Sequence, residues 1–262
     1  MDARSTDELA TLAEAAARGA GALLRDAFAH VGDGTLEATT KSSPSDLVSE
    51  ADVAAERQIR EHLLAARPAD GFMGEEGGSQ PGESGVRWVV DPLDGTTNFL
   101  FGVPHWGISV GCEDDDGPLA GAVYDPLRDE LWAATRDGPA TLDGAALDPP
   151  PERDPAAAVV ATGFSADAGI RALQAESVQR LLPQVGDLRR LGSAALDLAW
   201  TAAGRFDAYY ERGVKPWDVA AGALVCARAG LEVWRLEASP PSPAGLLVAH
   251  PALAARLAGL IG

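Results

Sequence analysis

The chain has 262 residues, of which 46% are hydrophobic and 23% are charged, a balance typical of a globular protein with a substantial core. Its 39 acidic residues outnumber its 21 basic ones, and the net charge of −18 argues against binding nucleic acid through general attraction to phosphates. No apolar run is long enough to span a membrane, and the polar N-terminus is unlike a signal peptide. Two widely separated cysteines, Cys112 and Cys226, suit buried thiols in a reducing, cytoplasmic setting.

Two helices are predicted at the start of the chain, followed by strands. Apolar spacing predicts a helix over 5–30, with Ser5 and Glu8 as a capping box, and a second helix from about 49 to 66. A short strand over 87–90 is expected to end at Asp91 and Pro92, because proline stops ladder pairing. Three more strands, at 105–113, 118–124 and 130–135, have the turn spacing of an antiparallel meander.

A proline-rich stretch over 148–155 is the best internal boundary, and it predicts an N-terminal lobe of 1–150 and a C-terminal lobe of 151–262. Strands and helices alternate in the second half, which predicts a layered α/β or α+β fold. The predicted strands are 158–162, 187–191, 206–210, 231–236 and 246–249, and the predicted helices are 167–182, 193–203, 216–230 and a terminal helix.

The segment over 91–97 concentrates carboxylates and small residues at the end of a strand. Asp91 and Asp94 are three residues apart, so both side chains can converge on one or two cations, and hard oxygen ligands favour magnesium. Gly95 allows backbone amides to approach an anion such as phosphate. By itself the segment is equally consistent with a surface turn, since all of these residues favour turns. The apolar residues on both sides of it favour a buried site.

Further segments resemble the inositol monophosphatase family in content, order and approximate spacing. The combination of Asp-Pro-Leu-Asp-Gly-Thr-Thr-Asn-Phe with a downstream Pro-Trp-Asp is specific, and the resemblance covers roughly residues 5–235. The matching segments are 41–52, 74–77, 91–99, 192–197, 207–211 and 215–218.

The resemblance implies a site for two to three Mg²⁺ ions. Glu75, Asp91 and the carbonyl of Leu93 match ligands of the first ion. Asp91, Asp94 and Asp218 match ligands of the second, and Glu75 would also touch a third, weaker ion. Metal ions are physically necessary in such a site, because carboxylates this close repel each other by about 4 kcal/mol per pair at an effective dielectric near 20.

Other positions match residues that handle water, phosphate and the alcohol. Thr96 and Asp52 match the pair that orients and deprotonates the attacking water, and Glu75 joins them as a catalytic residue. The amides of Gly95 and Thr96 would hold phosphate oxygens, and Lys41 matches a lysine near the metals. The positions matching contacts to the alcohol hydroxyls are Ala194, Glu211 and Asp218.

For the whole chain the resemblance implies an αβαβα sandwich of the inositol monophosphatase and fructose-1,6-bisphosphatase type. The expected protein is a cytoplasmic homodimer that hydrolyses a small phosphate monoester, inositol monophosphate first of all, with nucleic acid and membranes excluded as partners. Two departures stand out: Phe101 replaces a histidine common in relatives, and Leu231 replaces a glycine, which would strain a backbone of positive φ.

Several alternatives stay open at this point. Histidinol phosphate is the second choice of substrate, because its amine suits an acidic pocket containing Glu211. Fructose 1,6-bisphosphate follows, with Arg205, Arg212 and Lys215 as candidates for a second phosphate, and a nucleotide bisphosphate is disfavoured by Thr97 and Asn98. A different class of function is a non-catalytic partner of the transcription machinery, against which the full ligand set argues.

Overall fold

A computed structural model describes residues 5–31, 38–40 and 47–261. Lys41 and most of the loop that precedes Asp52 therefore lie outside the described residues. The helices are α1 (Thr6–Phe28), α2 (Glu50–Ala66), α3 (Thr96–Leu100), α4 (Ala168–Leu181), α5 (Ala194–Ala202), α6 (Pro216–Arg228) and α7 (Pro251–Ile261).

The strands form a small hairpin and two large sheets. The hairpin pairs β1 (Ala38–Thr40) with β2 (Leu47–Ser49). The first large sheet contains β3 (Gly71–Gly74), β4 (Gly78–Gln80), β5 (Arg87–Asp94), β6 (Gly107–Asp114), β7 (Gly117–Asp125), β8 (Glu130–Thr135), β9 (Thr141–Leu142) and β10 (Ala145–Ala146), in the order β10-β9-β8-β7-β6-β5-β3-β4. The second contains β11 (Val159–Thr162), β12 (Asp187–Arg189), β13 (Ala208–Arg212), β14 (Glu232–Leu236) and β15 (Gly245–Ala249), in the order β12-β11-β13-β15-β14.

Helices and sheets alternate in five layers, as the αβαβα expectation requires. Helices α1 and α2 cover one face of the first sheet, and α5 and α6 cover its other face. Helix α5 also packs on the second sheet, whose far side carries α4 and α7. The middle core joins residues from both halves of the chain, such as Val123 and Trp132 with Leu196 and Val225. The two sheets are divided at the proline-rich stretch, and the two-lobe boundary itself stays a prediction.

The central strands of the first sheet are buried on both faces, which explains their near-continuous apolar sequence. Gly111 and Gly121 face each other across β6 and β7 and leave a smooth patch for α6. A Cβ on Gly121 would lie 2.8 Å from the Cα of Ala221, and one on Gly111 would lie 2.9 Å from the Cβ of Ala220. These two glycines set how closely α6, and therefore Asp218 in its first turn, approaches the sheet.

The predicted order of elements is confirmed from α1 onward, with several differences. Strand β5 continues past Pro92 to Asp94, because a bulge between Asp91 and Asp94 leaves the proline outside the regular ladder. The Ser5 side chain makes no capping hydrogen bond, so the predicted capping box is wrong. The short strands β1 to β4, β9 and β10 and the short helix α3 were not predicted, and β13 lies two residues later than expected.

The Leu231 departure carries no backbone strain. Gly230, at φ 89°, takes the left-handed conformation that ends α6, and Leu231 is buried in the middle core. In the part of the chain that is described, no helix combines the length and apolar character needed to cross a bilayer.

The glycine patch under α6 generates a stability prediction. Gly121→Ala places a methyl group against the α6 backbone and should lower the free energy of unfolding by about 1–3 kcal/mol, the usual cost of overpacking a core. Urea unfolding followed by circular dichroism measures the change.

The matched control is Gly259→Ala in α7, where an added Cβ meets nothing within 4 Å. Alanine is the better helix former, so this variant should be neutral or more stable by up to about 1 kcal/mol. Equal stability of the Gly121 variant and the wild-type protein would contradict the close packing of α6 on the sheet.

Candidate active site

Two parallel strands end side by side at the first part of the site. Strands β3 and β5 are paired with Gly74 opposite Val90, so Glu75 and Asp91 are the residues that follow this pair. The Glu75 N–H donates to the Val90 carbonyl at 3.3 Å. Carboxyl ends of parallel strands form the usual crevice for ligands in α/β sheets, and here both ends carry an acid.

The turn after Asp91 is held by its own side chains. The Leu93 N–H donates to Asp91 Oδ1 at 3.0 Å, and the Thr96 hydroxyl donates to the Leu93 carbonyl at 3.1 Å. Gly95 has φ 99°, and a Cβ there would lie 3.2 Å from the His105 carbonyl and 3.3 Å from that of Gly192. Only glycine fits this conformation and this space, so the backbone of Gly95 lines the cavity without a side chain.

Helix α3 is anchored behind this turn. Phe99 is buried with its ring centroid 5.4 Å from that of Phe28 and 5.1 Å from that of Trp106. Asn98 Nδ2 donates to the His105 carbonyl at 2.6 Å and to the Leu191 carbonyl at 2.8 Å. These contacts join the turn to the segment that leads into α5.

The N-terminus of α5 supports Asp94. Ser193 is the N-cap, and its hydroxyl donates to Asp94 Oδ2 at 2.7 Å. The Ala195 N–H donates to the same oxygen at 2.6 Å. Two donors and the positive end of the helix dipole stabilise the charged form of this carboxylate.

Asp218 arrives on the first turn of α6. Its Oδ2 accepts the Lys215 N–H at 2.7 Å, and Pro216 occupies the first turn as predicted. The Ser109 hydroxyl on β6 donates to the Trp217 carbonyl at 3.1 Å and fixes this turn to the first sheet. Asp218 therefore caps the N-terminus of α6, and the same side chain also faces the cavity.

These elements surround one cavity of about 150 Å³. The predicted site residues meet there with the exception of Asp52, which is buried in the first turn of α2 but does not line the cavity. The lining residues are Glu75, Asp91, Leu93, Asp94, Gly95, Thr96, Gly163, Arg190, Gly192, Ser193, Ala194, Asp197, Glu211 and Asp218.

Burial and mutual repulsion raise the pKa of several of these carboxyl groups. Burial raises the pKa of Asp91 well above its usual range, and the charges of Glu75, Asp94 and Asp218 raise it further. Burial also raises the pKa of Asp94 to about 7 despite the hydrogen bonds from α5, although part of its surface faces the cavity. The pKa of Glu211 is raised to about 7, mainly by burial, while the Tyr209 hydroxyl at 3.0 Å opposes the shift.

The carboxylates surround the cavity without closing on its centre. Within the described ranges, no three histidine, cysteine, aspartate or glutamate side chains stand close enough together to hold a metal ion as they are placed. Asp91 and Asp218 each accept a backbone N–H from their own turn, and Asp94 accepts the Ala195 N–H of α5. The donor set itself consists of carboxylate and carbonyl oxygens, which suits a hard cation such as Mg²⁺.

Sequence reasoning missed part of the wall. Gly163 and Arg190 lie outside the segments that resemble the family, and Gly192, Ser193 and Asp197 lie inside one of them but have no predicted role. Asp197 is almost fully buried, with Oδ1 3.8 Å from Nε2 of the buried His105. Arg190 is the one cation among the described residues that line the cavity, and nothing in the sequence distinguishes it from Arg189 beside it.

The cations suggested for a second phosphate lie elsewhere. Arg205 pairs with Glu130 and stacks on Trp200, with 5.0 Å from its guanidinium carbon to the ring centroid. Arg212 donates to the Pro243 carbonyl at 2.8 Å, and Lys215 has an exposed side chain. None of the three lines the cavity, so the sequence-based suggestion is wrong for them.

Comparison with known proteins identifies this arrangement. An "Inositol-1-monophosphatase" of Mycobacterium bovis is 40% identical over 95% of this chain and 91% of its own length. A "Nus factor SuhB" of Xylella fastidiosa is 42% identical over 82% of this chain and 77% of its own length. The crystal structure of extragenic suppressor protein suhB from Bartonella henselae superposes with a TM-score of 0.89 at 33% identity, covering 97% of this chain and 98% of the other.

The sequence profile of the inositol monophosphatase family matches residues 5–261, nearly the entire chain. The five-layer fold agrees with that match. The chain belongs to the inositol monophosphatase family.

Proposed function

We propose that this chain hydrolyses inositol monophosphates in a Mg²⁺-dependent reaction. Family membership makes it a phosphomonoester hydrolase, and the family is metal-dependent. The observation that carries the proposal is the convergence of carboxylates from β3, β5 and α6 on one cavity, beside the N-termini of α3 and α5. The name of the Mycobacterium bovis relative supports inositol phosphate as the substrate.

The oxygen donors divide between two principal Mg²⁺ ions. Glu75, Asp91 and the Leu93 carbonyl would hold the first, and Asp91, Asp94 and Asp218 would hold the second, with a third ion touching Glu75. Four carboxylates carry a charge of about −4, which two divalent cations cancel, and a third makes the cavity attractive to a phosphate dianion. Bound Mg²⁺ lowers the pKa of a coordinated water, polarises phosphoryl oxygens and neutralises charge on the leaving oxygen.

The chain's own groups orient the reactants. The Thr96 hydroxyl donates to the Leu93 carbonyl at 3.1 Å, so its oxygen can accept a hydrogen bond from the attacking water and orient that water. By the family resemblance Asp52 and Glu75 would complete the group that orients and deprotonates this water, with Glu75 on the cavity wall and Asp52 buried in α2 outside it. The amides of Gly95 and Thr96 precede the first hydrogen-bonded turn of α3 and are free to hold phosphate oxygens.

The alcohol would leave toward the second sheet. Ala194, Glu211 and Asp218 would contact its hydroxyls, and all three line the cavity. Arg190 lies on the same wall and offers hydrogen-bond donors to a polyol, whereas it would repel a cationic amine. This favours inositol monophosphate over histidinol phosphate.

A second candidate function is association with the transcription machinery. The specific observation is that relatives from Xylella fastidiosa and Pasteurella multocida carry the name "Nus factor SuhB". Capture of RNA polymerase subunits by the tagged chain, with phosphatase activity absent, would favour this function over catalysis. We also propose a cytoplasmic location, because Cys112 and Cys226 are both buried free thiols. A homodimer is proposed from the family resemblance alone.

A substrate panel decides which ester is cleaved. The panel contains inositol 1-phosphate, histidinol phosphate, fructose 1,6-bisphosphate and 3′-phosphoadenosine 5′-phosphate, each with Mg²⁺ and with a chelator. Phosphate release should be fastest with inositol 1-phosphate and should stop in chelator. A preference for any other ester would overturn the substrate assignment.

Removal of one ligand should abolish most of the activity. Asp94→Asn keeps the shape of the side chain but removes a charge that the second ion needs. Loss of even an outer-shell partner costs 10–100-fold in metal sites, so kcat/KM should fall by at least about 100-fold. Steady-state phosphate release in saturating Mg²⁺ measures the loss.

The matched control is Asp115→Asn, the same substitution at an exposed aspartate of the β6–β7 turn. It should keep wild-type activity. Comparable activity of the two variants would rule out the proposed role of Asp94.

Protons and metal ions should compete for the site. In the metal-free protein Asp94 and Glu211 have a pKa of about 7, above the value near 4 of unfolded carboxyls. The protonated forms of these two groups therefore contribute fully to the free energy of unfolding below about pH 4. This contribution is lost as the pH rises through 7. Metal binding needs the ionised carboxylates, so the gain in Tm from Mg²⁺ should grow between pH 5.5 and 8.

Thermal unfolding with Mg²⁺ or chelator at each pH measures this gain. Asp94→Asn lacks one of the titrating ligands and should show a smaller increase with pH. A gain in Tm that is the same at pH 5.5 and pH 8 would contradict the competition.

A further inference from the structure

The loop that carries Glu75 has an unusual support from the helix behind it. The loop is the Gly74-Glu75-Glu76-Gly77 segment between β3 and β4, which pair as a tight antiparallel hairpin. Helix α2 passes beside it, and Glu56 of this helix is 3% exposed. A carboxylate buried to this extent requires partners.

Glu56 finds its partners on both sides. Its Oε2 accepts a hydrogen bond from the Glu76 N–H at 2.7 Å, and its Oε1 accepts one from Nη2 of Arg60 at 3.1 Å. The Arg60 guanidinium in turn lies over the ring of Phe72 on β3, 4.6 Å from the ring centroid. The carboxylate is therefore clamped between α2 and the hairpin.

The two glycines of the loop make this contact possible. A Cβ on Gly74 would lie 2.2 Å from Glu56 Oε2, and a Cβ on Gly77 would lie 2.4 Å from Glu56 Oε1. Neither distance is compatible with a real side chain. The glycines on each side of Glu75-Glu76 thus provide the space in which Glu56 reaches the loop backbone.

These contacts fix the backbone on both sides of the Glu75 side chain. Its own N–H is fixed to the Val90 carbonyl of β5, and the next N–H is fixed to Glu56. Two consecutive backbone anchors, one on the sheet and one on α2, define the direction in which the intervening Glu75 side chain enters the cavity. Polar partners behind a ligand orient it in this way and raise metal affinity.

We infer that Glu56 is a positioning residue that aims Glu75 at the first Mg²⁺ ion. This inference rests on the proposed function, because it takes Glu75 as a metal ligand. A merely structural Glu56 would neutralise Arg60 and affect stability alone, so the two roles differ in their effect on metal affinity.

Calorimetric titration of Mg²⁺ into the metal-free protein tests the inference. Glu56→Ala removes the anchor and should weaken the tightest Mg²⁺ binding by about 10–100-fold. Glu56→Gln keeps an oxygen that can accept the Glu76 N–H and should recover most of that affinity. Glu61→Gln, an exposed position on the same helix, is the matched control and should bind Mg²⁺ as the wild type does.

A second variant keeps the test decisive if Glu56→Ala fails to fold. Gly77→Ala preserves every charge but pushes the tips of Glu56 and Arg60 away from the loop, which flexible side chains accommodate. It should weaken Mg²⁺ binding in the same direction. Wild-type affinity in Gly77→Ala, together with wild-type affinity in any folded Glu56→Ala protein, would overturn the inference.

The wild-type titration separates this inference from the proposed function. If the wild-type protein neither binds Mg²⁺ nor releases phosphate in its presence, the proposed function fails and the role of Glu56 fails with it. If the wild type does both and the variants match it, only the role of Glu56 is overturned.

Discussion

The repulsion among buried carboxylates is the constraint on which the rest of this site depends. Asp91, Asp94 and Asp218 come from two elements far apart in the chain, and burial raises the pKa of each. The fold opposes this repulsion with backbone N–H donors and with the N-terminal ends of α5 and α6, both directed at the acids. The middle helical layer therefore has an electrostatic role besides its packing role: it makes a cluster of acids tolerable until cations neutralise it.

Several glycines define the geometry of the site because they have no side chain. Gly121 lets α6 lie against the sheet, Gly95 lets the turn pass close to His105, and Gly77 leaves room for Glu56. At Gly121 and Gly77 an added Cβ would meet backbone or a charged group closer than atoms approach, and at Gly95 a side chain is disfavoured by the positive φ and the tight space. Each glycine thus helps to determine where a neighbouring carboxylate lies. The acid-rich cavity is thus shaped by glycines that contribute no chemistry of their own.

Sequence reasoning predicted the main carboxylate segment of the cavity because its residues are contiguous, and it predicted most elements because their apolar periodicity is long. Prediction from the sequence failed where an element is short, or where only the fold determines which residues meet. Strand β3 begins and ends with glycine and has no alternation, and the bulge that carries β5 past Pro92 has no sequence mark. Arg190 and Arg205 look alike in the sequence, and only the fold places one on the cavity and the other against Glu130.

Both sheets place site residues at the carboxyl ends of parallel strands. In the first sheet, parallel β3 and β5 deliver Glu75 and Asp91 at their carboxyl ends. In the second, β11 is parallel to both β12 and β13, so the ends of these strands bring Gly163, Arg190 and Glu211 to the opposite wall. Asp91 and Asp94 lie on the first sheet, whereas Arg190 and Glu211 lie at the second, so this wall can change without moving those two carboxylates. Asp218 on α6 would contact both the cations and the alcohol. A shared fold can in this way keep one hydrolytic reaction while its members differ in the ester they cleave.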